Sequence, residues 1–285
     1  MIRESIALSC PVCAESLEAA GSPARVLSCP AGHRFDAAKQ GYFNLLTGRG
    51  TTFREDTPAM VEARARFLAA GHYAPLADAL AEESTAVVPG GIPRILDAGA
   101  GTGYYLDTVA GALEATRGAR PEAVALDISR FAMRRAAKLP RTRALVWDLW
   151  RPLPVADAQF EVLMDVFAPR NGGEFSRVLV PGGVALVATP LPDHLAEAIG
   201  PLGMLSIGAG KEESVAAALG PAFEPLRSRE IRTPLRLSDD DAVRLALMGP
   251  AGHHHDEADI RRRLAGSPLP DVVTAAFRLQ VFRRR

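Results

Sequence analysis

The sequence predicts an α/β fold, a mostly parallel sheet of Rossmann type wrapped by helices, behind a small N-terminal module that needs a staple. Three observations predict it. Short apolar runs alternate with helical stretches from Pro93 onward, an acidic residue and three glycines end the first of those runs, and all three cysteines lie before residue 30.

A chain of 285 residues buries a sizeable core and accommodates one large domain with an appendage. Hydrophobic residues make up 48% and charged residues 23%, a balance that argues against disorder. No apolar run approaches the ~20 residues needed to cross a bilayer. The first ten residues lack a basic start followed by a long apolar stretch, so a cytoplasmic protein without membrane association is expected. The 33 basic and 33 acidic side chains cancel, so any polyanionic partner must be read by a local patch.

Residues 1–55 are turn-rich and carry the cysteines, residues 56–90 read as a helical linker, and residues 91–285 carry the α/β pattern. In the linker Met60, Ala63, Phe67 and Ala70 recur at spacings of three and four, Gly71 interrupts, and a second helix starts near Pro75. Strands are expected at 94–98, 123–127, 144–148, 161–166 and 184–189, with helices between them. A short helix over 174–180 runs into Pro181-Gly182-Gly183. Ser238, with Asp241 three residues on, caps a helix through Met248, and 272–283 alternates as a closing strand. Arg283-Arg284-Arg285 reads as a solubilising tail.

Cys10-Pro-Val-Cys13 and Cys29-Pro-Ala-Gly-His33 are two ligand pairs separated by fifteen residues. Two such knuckles converge three thiolates and an imidazole on one tetrahedral ion. Zinc suits that set, with Zn–S of about 2.3 Å and Zn–N of about 2.0 Å, and a closed site without bound water implies a structural role. An odd number of cysteines without a secretory signal favours ligation over disulfides. A module this small has little core of its own, so the ion supplies much of its folding free energy. The run His253-His254-His255 has no second ligand pair nearby and reads as a loop rather than a second site.

The segment Ile95-Leu96-Asp97-Ala98-Gly99-Ala100-Gly101-Thr102-Gly103 places an acid at a strand end ahead of glycines at alternate positions. Such a turn lets backbone approach a nucleotide, and it lacks the Lys-Ser/Thr ending of a phosphate-gripping loop. Dinucleotide enzymes share the glycine turn, which leaves that class open. The next strand ends in Asp127, placed to accept hydrogen bonds from two ribose hydroxyls, and the third in Asp148, placed to meet an adenine amino group. A single strand-ending Asp is more often a turn carboxylate. It is the order glycine turn, Asp127, Asp148, all at strand C-termini, that points to a nucleoside.

Further marks run the length of the chain: Cys29-Pro-x-x-His33-x-Phe35-Asp36, Gly41-Tyr42-x-Asn44-Leu45-Leu46, Ala63-Arg64-x-x-Phe67-Leu68, Gly71-His72-Tyr73-x-Pro75-Leu76 and Phe167-Ala168-Pro169-Arg170-Asn171. With the glycine turn, they make the chain resemble the 23S ribosomal RNA (guanine-N1)-methyltransferase family, in which a zinc knuckle precedes a class I methyltransferase domain. The resemblance implies a seven-stranded sheet, S-adenosylmethionine as methyl donor, structural Zn2+, 23S ribosomal RNA as partner, and a homodimer. Met248-Gly249-Pro250, followed by acidic residues, is closer to the Gram-positive branch. That branch modifies a guanine in the hairpin lining the peptide tunnel, and some members confer resistance to macrolides such as tylosin or mycinamicin. The resemblance also implies donor contacts from Tyr73, Gly101, Thr102 and the His of Thr189-Pro190-x-x-x-His194; with Asp97, Gly99, Gly103, Asp127 and Asp148 these form the expected donor site. Relatives of the branch tend to place a tryptophan soon after Met-Gly-Pro, where this chain reads Ala251-Gly252-His253.

Methylation at guanine N1 needs an unstacked base, in-line placement of the methyl group and loss of the N1 proton. Phe167 and Pro169, after the fourth strand, are the expected base pocket, and Asp165 or Asn171 the expected proton acceptor. Arg34, Lys39, Arg49 and Arg54 against Asp36 give the first module a local positive excess, with Tyr42 or Phe43 available to stack a loop base. Zero net charge keeps two rivals open: a small-molecule methyltransferase with the zinc module as accessory, and a non-catalytic RNA-binding protein on the same fold.

Overall fold

The computed structural model describes residues 5–21, 23–48, 50–88, 90–204 and 215–285. Strands β1 (Leu8–Ser9), β2 (Ser16–Ala20), β3 (Val26–Ser28) and β4 (Arg34–Asp36) form an antiparallel ribbon in that order. The Cys10–Cys13 turn joins β1 to β2 and the Cys29–His33 turn joins β3 to β4, so both knuckles lie at one end of the ribbon.

The chain then enters the main sheet with β5 (Phe43–Asn44) and crosses to helices α1 (Pro58–Ala69) and α2 (Ala74–Val87). Thr57 caps α1 by accepting from Met60 N, Pro58 sits where a helix has no use for its missing N–H, and Gly71 breaks the pair at φ +83°. There follow β6 (Ile95–Ala98), α3 (Tyr104–Arg117), β7 (Ala123–Asp127), α4 (Arg130–Ala136), β8 (Thr142–Val146), β9 (Phe160–Val166), α5 (Gly172–Val178) and β10 (Leu179–Pro190). Next come α6 (Ala196–Leu202), α7 (Val215–Leu219), β11 (Phe223–Leu235), α8 (Asp239–Leu247), α9 (Glu257–Gly266) and β12 (Val273–Arg284). Ser238 caps α8 through Asp241 N, as its spacing predicts.

The sheet order is β11-β12-β10-β9-β6-β7-β8-β5, parallel except where β12 pairs with β10 and β11. The expected α/β sheet is there, with eight strands rather than seven: β5, two residues long, adds to β8 in parallel. The chain reverses direction of progress across the sheet between β6 and β9, which opens a crevice above their C-terminal ends. The edge strand β11 is mostly exposed, and its Arg227 and Arg229 pair with Glu83 and Glu82 of α2, which keeps a long edge from recruiting another strand. The terminal arginines are no free tail: Arg283 and Arg284 lie in β12, Arg284 donates to the Leu179 carbonyl, and Arg285 N–H bonds Ala222 O.

Side chains alternate across the sheet. Ile95, Ala123, Ala125 and Val146 join the core beneath the helices, while Leu96, Val124, Leu126 and Leu145 face the other way. There they meet Ile6, Leu8, Leu17 and Leu27 of the ribbon, which thus covers a sheet face that a helix covers elsewhere. Each aliphatic side chain so buried contributes about 1.5–3 kcal/mol, which the ribbon alone has no means to obtain. Backbone bonds seal the junction, from Ser9 N to Pro154 O and from Ala156 N to Ala7 O.

Candidate functional site

The four ribbon ligands converge. One ligand atom from each of Cys10, Cys13, Cys29 and His33 falls within a 4.8 Å span. Cys13 Sγ is 3.6 Å from Cys29 Sγ, and His33 Nδ1 is 3.3 Å from Cys29 Sγ. A tetrahedral zinc with Zn–S and Zn–N bonds of ordinary length has edges of about 3.5 to 3.8 Å, so shifts of about an ångström or less bring this donor set onto the ion. Ala14, immediately after the second thiol, is held at φ +61°, strain a closed knuckle sustains. At the triple histidine, Pro250–His253 forms one 3-10 turn, and no second metal-ligand cluster occurs among the described residues.

The crevice gathers the glycine turn and its carboxylates. Gly99, Gly101 and Gly103 have φ of +86°, +54° and +82°, a path closed to other residues without strain. A Cβ on Gly99 would lie 2.3 Å from the Ala168 Cβ, so the glycine turn and the Phe167–Asn171 loop touch at that point. Thr102 lies partly buried between Gly101 and Gly103. Asp127 clasps the turn: Oδ2 accepts from Gly101 N at 2.9 Å and Oδ1 from Ser129 N at 2.7 Å. Each oxygen retains a lone pair. Asp148 stands two residues beyond β8, Oδ1 accepting from Trp150 N at 3.0 Å and Oδ2 from the Thr51 hydroxyl at 2.9 Å.

Asp97 is sealed at 2% exposure, and its Oδ2 has no hydrogen-bond partner among the described residues. Burial, reinforced by the Asp127 charge, pushes its carboxyl up to about 8. Burial also raises Asp127, opposed by the Ser129 and Gly101 amides. A dry crevice with crowded acids and an unmatched buried oxygen suits a cation carrying hydrogen-bond donors. Adenosylmethionine, a sulfonium with an ammonium, two ribose hydroxyls and an adenine amino group, has that chemistry.

An aromatic wall closes the other side. Tyr73 is buried, and its hydroxyl lies 3.4 Å from His194 Nε2. His194 Nδ1 accepts from Ala276 N at 3.1 Å, which places the ring proton on Nε2, facing Tyr73. Burial pulls the imidazole down to about 4, so it is neutral at pH 7. Phe277 packs 4.8 Å from both the Tyr73 and the His194 ring, and Phe167 completes the wall 5.6 Å from Phe277. Phe167 and Leu195, the residue after His194, adopt φ of +57° and +56°, so the wall is held in strained turns.

The two expected proton acceptors lie at the end of β9 and ahead of α5. Asn171 is committed at both ends, Oδ1 accepting from Glu174 N as the α5 cap and Nδ2 donating to Leu149 O at 3.0 Å. Asp165 is fully enclosed beneath the loop, Arg170 Nη1 3.8 Å away, and burial pushes its carboxyl well up against the Arg170 charge. Both Asp165 oxygens lack a hydrogen-bond partner among the described residues, and the charge of Asp97 in the crevice pushes the carboxyl up further. Pro169 is exposed beside them.

Several ribbon assignments change. Tyr42 and Phe43 are buried at 8% and 2%, Phe43 within β5, and so are unavailable for stacking. Arg34 is paired with Asp36 at 3.0 Å, and Arg49 lies outside the described residues. Two residues not assigned to the site from the sequence also join it. Phe277 reads as an ordinary strand aromatic. Arg64 sits beside Gly101, its guanidinium bonded to Asp56 at 2.5 Å and Met248 O at 2.6 Å. The family-like Ala63-Arg64 pair was the available clue. Cavities of about 590 and 530 Å³ lie apart from the crevice, one beside α8 and α9, the other at the N-terminal ends of β7 and β8.

Comparison with known proteins agrees with this layout. The zinc-ribbon family described as RlmA, N-terminal, matches residues 8–48. A putative 23S rRNA (guanine-N(1)-)-methyltransferase of Micromonospora griseorubida is 44% identical over 97% of this chain and 97% of its own. The 23S rRNA (guanine(748)-N(1))-methyltransferase of Streptomyces fradiae is 42% identical over 97% of this chain and 96% of its own. Among solved structures, the [4+2]-cyclase SpnF shares the fold at a TM-score of 0.50 and 22% identity, covering 73% of this chain and 79% of that one. Identity of this extent, end to end, on a ribbon whose ligands converge and a crevice built for a cationic nucleoside, means that the chain belongs to the 23S rRNA (guanine-N1)-methyltransferase family.

Proposed function

We propose that this protein methylates N1 of a guanine in 23S rRNA with S-adenosylmethionine, at the tunnel-lining hairpin that carries guanine 748, and that the modification confers macrolide resistance. The observation that carries this reading is the 42% identity, over nearly the whole of both chains, with an enzyme named for that nucleotide. Action in the cytoplasm, as a homodimer, belongs to the same proposal. No helix of the described residues is long and apolar enough to cross a membrane.

When bound, the donor supplies an electrophilic sulfonium methyl. Gly99, Gly101, Thr102 and Gly103 form the turn on which it rests. Asp127 uses its remaining lone pairs on the ribose hydroxyls, and Asp148 accepts from the adenine amino group. Asp97 faces the amino-acid end with its unmatched oxygen. Tyr73 and the neutral His194 line the sulfonium's surroundings without adding a like charge, and aromatic faces favour a cation there. Phe167 and Pro169 hold the flipped guanine by stacking. Asp165 positions Arg170 under that loop, and Asn171 ties the loop to Leu149. Positioning then carries most of the rate enhancement, and the N1 proton displaced as the new N–C bond forms passes to water.

The test is transfer of labelled methyl from the donor to unmodified large-subunit rRNA, run beside a metabolite pool. Primer extension should stop at the hairpin guanine, because an N1 methyl blocks its pairing edge. Label confined to small molecules would refute the proposal.

A further inference from the structure

Among the described residues the large hydrophobic side chains left exposed include three aromatic rings: Phe53 at 53%, Trp150 at 55% and Phe167 at 43%. They are far apart in sequence yet joined by one chain of hydrogen bonds. Phe53 N–H donates to Thr51 Oγ1 at 3.2 Å, that hydroxyl donates to Asp148, and Asp148 accepts from Trp150 N. Leu149, beside Trp150, accepts from Asn171, which closes the loop begun by Phe167. The three rings therefore stand on segments tied to one another through Asp148 and Leu149. An arginine follows each ring: Arg54 and Arg151 directly, Arg170 three residues on. Arg54 is exposed and has no acidic partner among the described residues. Arg151 is turned inward, donating to the Gly50 carbonyl, and thereby fixes the strand-to-helix crossing that carries Phe53.

Exposed rings on anchored backbone, with the exposed Arg54 beside Phe53, suit the unstacked bases and phosphates of single-stranded RNA. We infer that Phe53 and Trp150 form a stacking platform for the nucleotides flanking the target guanine, while Phe167 receives the guanine itself. The inference rests on the RNA substrate proposed above. It moves the stacking role from the buried Tyr42 and Phe43 to the seam between ribbon and sheet, and it commits the surface to unpaired nucleotides rather than to duplex. Thr51 makes the platform sensitive to the donor site, because Asp148 is shared by the crossing segment and the crevice.

The chain has two tryptophans, and the other, Trp147, is buried at 3%, so Trp150 dominates any solvent-sensitive emission change. The experiment titrates the full-length protein with an unmodified 23S rRNA stem-loop carrying guanine 748 and follows emission, RNA affinity, and KM and kcat for methyl transfer. Stacking should quench wild-type emission. Trp150→Ala and Phe53→Ala should each raise KM for RNA about fivefold or more at nearly constant kcat, with donor affinity kept. Trp150→Phe should restore most of the loss, since an aromatic face and not the indole N–H is needed. Wild-type KM in both alanine variants would overturn the platform, as would a Trp150→Phe enzyme as impaired as Trp150→Ala. A fall in donor affinity alone would overturn it too, by assigning the rings to the donor crevice. If the wild-type protein binds donor but methylates no stem-loop, the substrate proposal fails first and separately.

Discussion

Replacing Gly99 with alanine tests the contact on which the site is built. The new methyl meets Ala168 Cβ at 2.3 Å, well inside van der Waals contact, and the backbone sits at φ +86°. The left-handed conformation costs about 1–2 kcal/mol for a residue with a Cβ. Overpacking adds about 1–3 kcal/mol, because both partners are backbone-anchored and neither is the far end of a flexible chain. The sum, about 2–5 kcal/mol, corresponds to a fall in Tm of about 3–8 °C for a chain of this size. Gly118 separates the two contributions. It has φ +79° and open space, with nothing within 4 Å of where a Cβ would stand, so Gly118→Ala bears the conformational cost alone. A second separation is Gly99→Ala with Ala168→Gly, which should recover the overpacking share and leave a coupling of about 1–3 kcal/mol in a double-mutant cycle. Thermal unfolding supplies the stabilities, and donor titration should show Gly99→Ala weakening binding tenfold or more. If Gly99→Ala costs no more than Gly118→Ala, or if Ala168→Gly rescues nothing, the two loops do not meet as described.

Two further outcomes follow from the electrostatics and the metal. An acid with a raised folded pKa stabilises the fold fully below its unfolded pKa, about 3.9, and loses that contribution as pH climbs through the folded value. For Asp97 the window runs up to about 8, so the free protein should lose stability across it, while a cationic donor, which favours the ionised acid, should bind more tightly from pH 6 to 8 with proton release. Calorimetry in buffers of different ionisation enthalpy measures that proton, and Asp97→Asn should abolish it; a pH-independent wild-type affinity would contradict the assignment. Chelation should expose the three thiols to a thiol reagent that the native protein resists, with Cys13→Ser behaving as the chelated form. Equal reactivity with and without chelator would remove the zinc.

The glycine turn and the paired knuckles were legible because their chemistry is local: residue types at fixed spacing state a backbone path or a ligand set on their own. Asp127 and Asp148 were legible through strand ends, although Asp148 proved to lie two residues past β8 rather than within it. What escaped is non-local. β11 reads as a charged segment, since its Arg227 and Arg229 are matched by α2 rather than by any pattern of its own. Phe277 enters the site from the last strand because β12 pairs against β10. Asn171 looked like a reactive polar group, but a residue ahead of a short helix most often caps it. Tyr42 and Phe43 looked available because two residues of strand leave no periodic trace.

The ribbon's place against Leu96, Val124, Leu126 and Leu145 has a consequence for the protein's history. A small metal-held head tethered by a linker is free to be traded between enzymes, whereas this one forms part of the engine's own casing. A fragment beginning at residue 56 would leave those aliphatic side chains wet, a patch of the kind that drives self-association. Ribbon and sheet are thereby inherited as one piece, since neither keeps its buried face dry without the other.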